Sequence, residues 1–96
     1  SLCWVSARCH AYSSGLASYV GHQRIADSCK SKQYFSGECC TYGRYEPLQI
    51  VLALLIDDNI PSLGHRKICL GKGYQKIGTS IQPHKDYGIN AVLDFD

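Results

Sequence analysis

The sequence predicts an α+β domain built around an antiparallel sheet, and three observations lead there. Apolar residues recur at helical spacing over the first twenty positions. A nearly all-apolar run of helical length follows Glu46-Pro47. Two segments near the end alternate at period two. Helical and strand patterns are mixed without regular strand–helix–strand alternation, which favours an antiparallel sheet. Ninety-six residues, 45% hydrophobic and 19% charged, make one globular domain over residues 1–96.

Taken in order, Val5, Cys9, Tyr12, Leu16 and Tyr19 form a stripe that a first helix would turn toward the core, widened by Trp4, Ala7 and Ala11. His10 falls on its polar flank. Gly21 is placed to end this helix, with His22 immediately after. Residues 23–36 are polar and mixed, which predicts a loop with at most one helical turn. Residues 37–43, bounded by glycines, read as a short strand. Glu46-Pro47 opens a second helix, since proline fits a first helical turn. Over residues 48–56 Gln49 alone is polar, so this helix is expected to be buried on most sides. Ser62 can cap a short third helix that Gly71 would stop in a left-handed conformation. Strands at 74–82 and 89–95 close the chain, with Ile77, Thr79 and Ile81 facing the core from one and Ala91, Leu93 and Phe95 from the other. The loop between them carries His84, expected to be exposed.

Charge and cysteine content narrow the function. A formal charge of +2 with no basic run argues against nucleic-acid binding. The longest apolar run, residues 50–56, is too short to span a membrane. The sequence does not begin with Met and shows no leader, which reads as a processed or trimmed chain. Six cysteines are an even and high count, pointing to an oxidising compartment, with fifteen full pairings open. Cys39 and Cys40 are adjacent and point to opposite faces of a strand, so they do not suit each other. No CxxC pair is present, which argues against a zinc ribbon.

The chemistry concentrates between residues 54 and 70. His65 falls in the first turn of the third helix, where the helix dipole favours the neutral ring that binds a metal or acts as a base. Asp57 and Asp58 stand at the negative end of the second helix, where carboxylates are disfavoured. Either they begin the turn that Asn59 and Pro61 continue, or they share a polar site with His65. Cys69 lies four residues from His65, the spacing of a thiol–imidazole pair, but no orienting acid or oxyanion hole is evident.

The ordered set of Gly21-His22, Gly37-Glu38, Ile60-Pro61-Ser62 with Gly64-His65-Arg66-Lys67, and the Ile77-Gly78 and Leu93-Asp94-Phe95 strands resembles the CAP superfamily. This is the SCP-domain family of cysteine-rich secretory, antigen-five and pathogenesis-related proteins. Gly64-His65-Arg66 is closest in form to its bacterial and protist branch. The resemblance runs from about Ala7, with the family's usual start lying before Ser1. It implies a three-layer α-β-α sandwich and a cleft formed by two histidines and two acids. By position these are His22, Glu38, His65, and Asp57 or Asp58. It also implies a divalent cation such as zinc on His22 and His65. Cys39 stands where the family prefers Asn, Leu54 or Leu55 where many members place Trp, and an Asp where Glu is usual. The resemblance implies a non-enzymatic, extracellular or secretory-pathway module that binds a lipid, sterol or protein partner. Two other readings remain open: a building block of a larger assembly that uses the fold but not the cleft, and a metal-dependent hydrolase with Glu38 as base.

Overall fold

The computed structural model describes residues 2–57 and 63–96. The sequence expectations for Asp58 and for Ser62 as a cap lie outside them. The elements are α1 (Leu2–Ala17), α2 (Asp27–Lys30), β1 (Gly37–Tyr42), α3 (Pro47–Ile56), α4 (Gly64–Cys69), β2 (Ile77–His84) and β3 (Gly88–Phe95). The three strands form an antiparallel sheet in the order β1-β3-β2. The molecule is therefore α+β. One face of the sheet, with Cys40 and Val92, packs on Ala7 and Ala11 of α1. The other, with Cys39, Ala91, Leu93 and Phe95, packs on Ile50 and Leu54 of α3 and on Ile68 and Cys69 of α4.

Helix α1 buries the small-residue flank of its apolar stripe, Ala7 and Ala11, and leaves its large residues outward. Ser6, Ala7, His10, Ala11, Ser14 and Gly15 face the sheet, while Trp4, Tyr12 and Leu16 are about half exposed. The reason is proximity. A Cβ on Gly78 would overlap the backbone of Cys3 and Trp4, and one on Gly15 the carbonyl of Pro83. At such an approach only small side chains fit between helix and strand. Several buried polar groups on that face are hydrogen-bonded, while His10 Nδ1, Ser14 Oγ and Asn90 Oδ1 have no partner among the described residues. His10 donates from Nε2 to the Gly21 carbonyl at 2.8 Å, and Asn90 donates to the Ala11 carbonyl at 3.1 Å. The helix ends at Ala17, four residues before Gly21. Ser18 takes the left-handed turn (φ 54°), and the Tyr19 N–H reaches back to the Ser14 carbonyl at 2.9 Å.

The same close approach reverses β2. Gly78 and Ser80 face α1, and Ile77, Thr79 and Ile81 point outward. The central strand β3 is buried on both faces from Asn90 to Phe95. His84 is also buried, not exposed. It donates from Nε2 to the Tyr19 carbonyl at 2.9 Å, and its Nδ1 accepts from the Asp86 and Tyr87 N–H groups. One ring thus ties the β2–β3 turn to the end of α1.

Helix α3 starts where proline and Glu46 place it, with Glu46 and Gln49 forming a reciprocal capping box. It does not run through the core. Only Ile50 and Leu54 are buried, and Leu48, Val51, Leu52 and Ile56 lie exposed on the outer side. A three-stranded sheet offers one flank to cover, and two helical positions fill it. Gly71 is not left-handed; it leaves room for the Tyr74 ring, whose nearest atom would lie 2.8 Å from a Cβ there.

Candidate functional site

Asp57, at the C-cap of α3, adopts a left-handed conformation (φ 51°) that turns its carboxylate toward the start of α4. Its Oδ2 accepts the Arg66 backbone N–H at 3.2 Å, and its Oδ1 lies 3.0 Å from His65 Nδ1. An acid that would be misplaced at the end of one helix is thereby used at the beginning of the next, where backbone N–H groups lack partners. Burial pushes the Asp57 carboxyl up. The hydrogen bonds from His65 and from the α4 backbone outweigh it and leave the group below its usual range.

The second pair is built on β1. His22 Nδ1 lies 2.9 Å from Glu38 Oε1. The hydrogen bond to Glu38 raises the His22 pKa against the opposing effect of burial. Both rings thus engage a carboxylate through Nδ1, and neither Nε2 has a hydrogen-bond partner among the described residues. A carboxylate on Nδ1 fixes the tautomer that leaves Nε2 as a free ligand atom. His22, Asp57 and His65 line one cleft of about 600 Å³, with Val20, Leu54, Ile56 and Tyr87 as apolar wall and Arg44 at its edge. Glu38 is buried beneath His22.

Sequence reasoning missed what holds Glu38. Glu38 and Asp94 are direct cross-strand partners on β1 and β3, and both are buried. Arg24, from the polar loop after α1, is buried with them. Its Nη1 donates to Glu38 Oε1 at 2.9 Å, and Nη2 lies 2.7 Å from Glu38 Oε2 and 3.3 Å from Asp94 Oδ2. Nη2 also donates to Ser6 Oγ and Nη1 to the His22 carbonyl, while the guanidinium stacks 4.6 Å from the Phe35 ring centre. Two carboxylates around one guanidinium leave an excess negative charge in a buried place. Asp94 Oδ1 has no hydrogen-bond donor among the described residues, and Glu38 Oε2 meets the Arg24 guanidinium as an ion pair. Burial and the neighbouring Glu38 push Asp94 up to about 8. Burial also opposes ionisation of Glu38, but its bonds to His22, Asp94 and Arg24 dominate and hold it well below the carboxylate range. An acid set in the apolar run of β3 was the one signal available, because a buried carboxylate requires a partner.

The sign of the pH dependence follows. A folded-state pKa above the unfolded value contributes stability that is full below the unfolded value, near 4, and lost as pH rises through the folded one. Asp94 therefore makes the melting temperature fall from about pH 4 to about pH 8 and level off above. Asp94→Asn, which cannot ionise, should flatten that slope and melt above the wild type at pH 9. Parallel slopes in thermal melts would show that Asp94 is ionised throughout.

Three metal-type ligands also stand together. Donor atoms of His10, Glu38 and Cys40 lie within 4.8 Å of one another, and by type this buried group could hold a metal ion. Their present partners oppose it. His10 donates through Nε2 to Gly21 and so leaves Nδ1 open, but Glu38 is committed to Arg24, and burial together with Glu38 pushes the Cys40 thiol far up, away from the thiolate a metal needs. Cys40 Sγ is 3.6 Å from His22 Nδ1, but that same nitrogen faces Glu38. One ring nitrogen cannot both orient on the acid and take the thiol proton, so these three do not make a catalytic triad. Cys69 packs against the cluster that contains Cys39, while His65 engages Asp57. The chain matches no protein-family model, no curated protein and no solved structure.

Proposed function

We propose that this chain is a CAP/SCP-type binding module with an α-β-α sandwich fold, and that it takes its ligand in the cleft between His22 and His65. The observation that carries this reading is the matched pair of imidazoles lining one cleft, each engaged through Nδ1 by a buried carboxylate. The helices on both faces of the sheet support the fold, and the ordered motifs support the family. His22 and His65 would hold a divalent cation such as zinc through Nε2. When bound, that cation supplies positive charge for an anionic or carbonyl head group. The apolar wall of Val20, Leu54, Ile56 and Tyr87 suits the body of a lipid or sterol. Hydrolysis is disfavoured, because Glu38 is fixed by Arg24 and held far below the pKa of a working base. One disulfide, Cys9–Cys29, and the lack among described residues of a helix able to cross a membrane are compatible with an extracellular setting.

Calorimetric titration with zinc tests the reading. Wild type should bind one ion, and His22→Ala and His65→Ala should each weaken binding at least tenfold with little change in melting temperature. Wild-type heats indistinguishable from buffer would remove the cation from the proposal. A second reading, a building block of a larger assembly, is favoured by the exposed apolar side of α3 at Leu48, Val51, Leu52 and Ile56. Concentration-dependent association that Leu48→Lys/Leu52→Lys abolishes would support it.

A further inference from the structure

The structure assigns Cys39 and Cys69 to a second disulfide, one that ties β1 to α4 behind the cleft. The two residues belong to one packing cluster, Cys39 within it and Cys69 against it. A separate observation fixes their proximity. Cys39 Sγ lies 3.8 Å from the His65 carbonyl oxygen. In an α-helix that oxygen points at the N–H of the residue four positions on, which is Cys69. The Cys39 sulfur therefore sits beside the Cys69 backbone. Close packing of Gly37 against Ile68, 3.2 Å from a Cβ built on that glycine, holds the strand and helix in this register.

The remaining thiols have other surroundings. Cys3 donates to the Tyr34 carbonyl at 3.3 Å, and Cys40 faces Gly21, His22 and Glu38 on the opposite side of the sheet. Cys69 is half-buried and can be reached from solvent, whereas Cys39 is fully enclosed. The chemistry is thiol–disulfide exchange with a low-molecular-weight disulfide. The Cys69 thiolate attacks one sulfur of the reagent, forming a mixed disulfide and releasing one thiol. The Cys39 thiolate then attacks the Cys69 sulfur, closing the Cys39–Cys69 bond and releasing the second thiol. Two electrons pass from the cysteine pair to the reagent, and both cysteine protons leave.

The bond joins two elements that line the cleft: Cys40 adjoins Cys39 on β1, and His65 shares α4 with Cys69. Oxidation thus fixes the two walls of the cleft relative to each other. That consequence rests on the cleft reading; the disulfide itself does not.

The test is peptide mapping of the full chain after incubation with oxidised glutathione at pH 8, with alkylation before and after unfolding. Cys9–Cys29 and Cys39–Cys69 peptides should appear linked, with Cys3 and Cys40 recovered alkylated. The melting temperature should rise by about 8 °C or more over the singly bridged form. Cys69→Ser should lose that rise and Cys3→Ser should keep it. Recovery of Cys39 and Cys69 as separate alkylated peptides, or of Cys39 linked elsewhere, overturns the assignment. Because mapping is done on wild type without added metal, its outcome is independent of variant folding and of zinc binding.

Discussion

Arg24→Ala should destabilise the domain by about 3–5 kcal/mol, the cost of breaking a buried ion pair from one side. The guanidinium pairs with both Glu38 and Asp94, and it also bonds Ser6 and the His22 carbonyl. Without it two directly opposed acids lose their counter-charge, and the α1 face loses a bridge to the loop that carries His22. Arg24→Lys keeps the charge but not the two-nitrogen fork, so it should recover only part of the loss. Adding Glu38→Gln and Asp94→Asn to Arg24→Ala should restore stability, because the buried negative charge is then gone. Urea denaturation measures all four proteins. A loss below about 1 kcal/mol for Arg24→Ala would mean that water reaches the carboxylates, and the buried network would have to be abandoned.

The second large effect comes from the smallest change. Gly78→Ala should cost about 3 kcal/mol, at the upper end for overpacking, because the added methyl meets the backbone of Cys3 and Trp4 rather than a side chain that can swing aside. Helix α1 would have to lift from β2. Gly73→Ala is the control: nothing lies within 4 Å of a Cβ there and its φ is not positive, so it should be neutral or slightly stabilising. Equal melting temperatures for the two variants would contradict the close helix–strand contact.

That contact also explains where the sequence was legible and where it was not. Element type and several bounds were readable because their signals are local: Pro47 at a first turn, glycines flanking β1, the polar stretch containing the short α2. Which side of α1 and β2 turns inward was not. Hydrophobic spacing names a face on the premise that larger apolar groups go inside. Here a separation too small for Trp4, Tyr12 or Ile77 selects serine, alanine and glycine instead. His10 and His84 were misplaced for the same reason, since a ring with a carbonyl partner is as acceptable inside as an alkyl group.

The candidate site divides in a similar way. His22, Glu38, Asp57 and His65 were singled out in the sequence, and the structure places them as two pairs. The joining of Asp57 to His65 was foreshadowed by an acid at the unfavourable end of a helix. Arg24 was not, because one arginine in a polar loop looks like any solvated charge. Its role depends on a strand pairing, Glu38 with Asp94, that joins residues more than fifty positions apart.

The most direct measurement of the account is long-range proton–nitrogen correlation NMR of the His22 and His65 side chains at pH 8, with and without zinc. Both rings should show the proton on Nδ1 and an unprotonated Nε2, and both Nε2 resonances should shift when one equivalent of zinc is added. Rings protonated on Nε2, or resonances that ignore the metal, would contradict the claim that two carboxylates hold these histidines open toward a shared ligand.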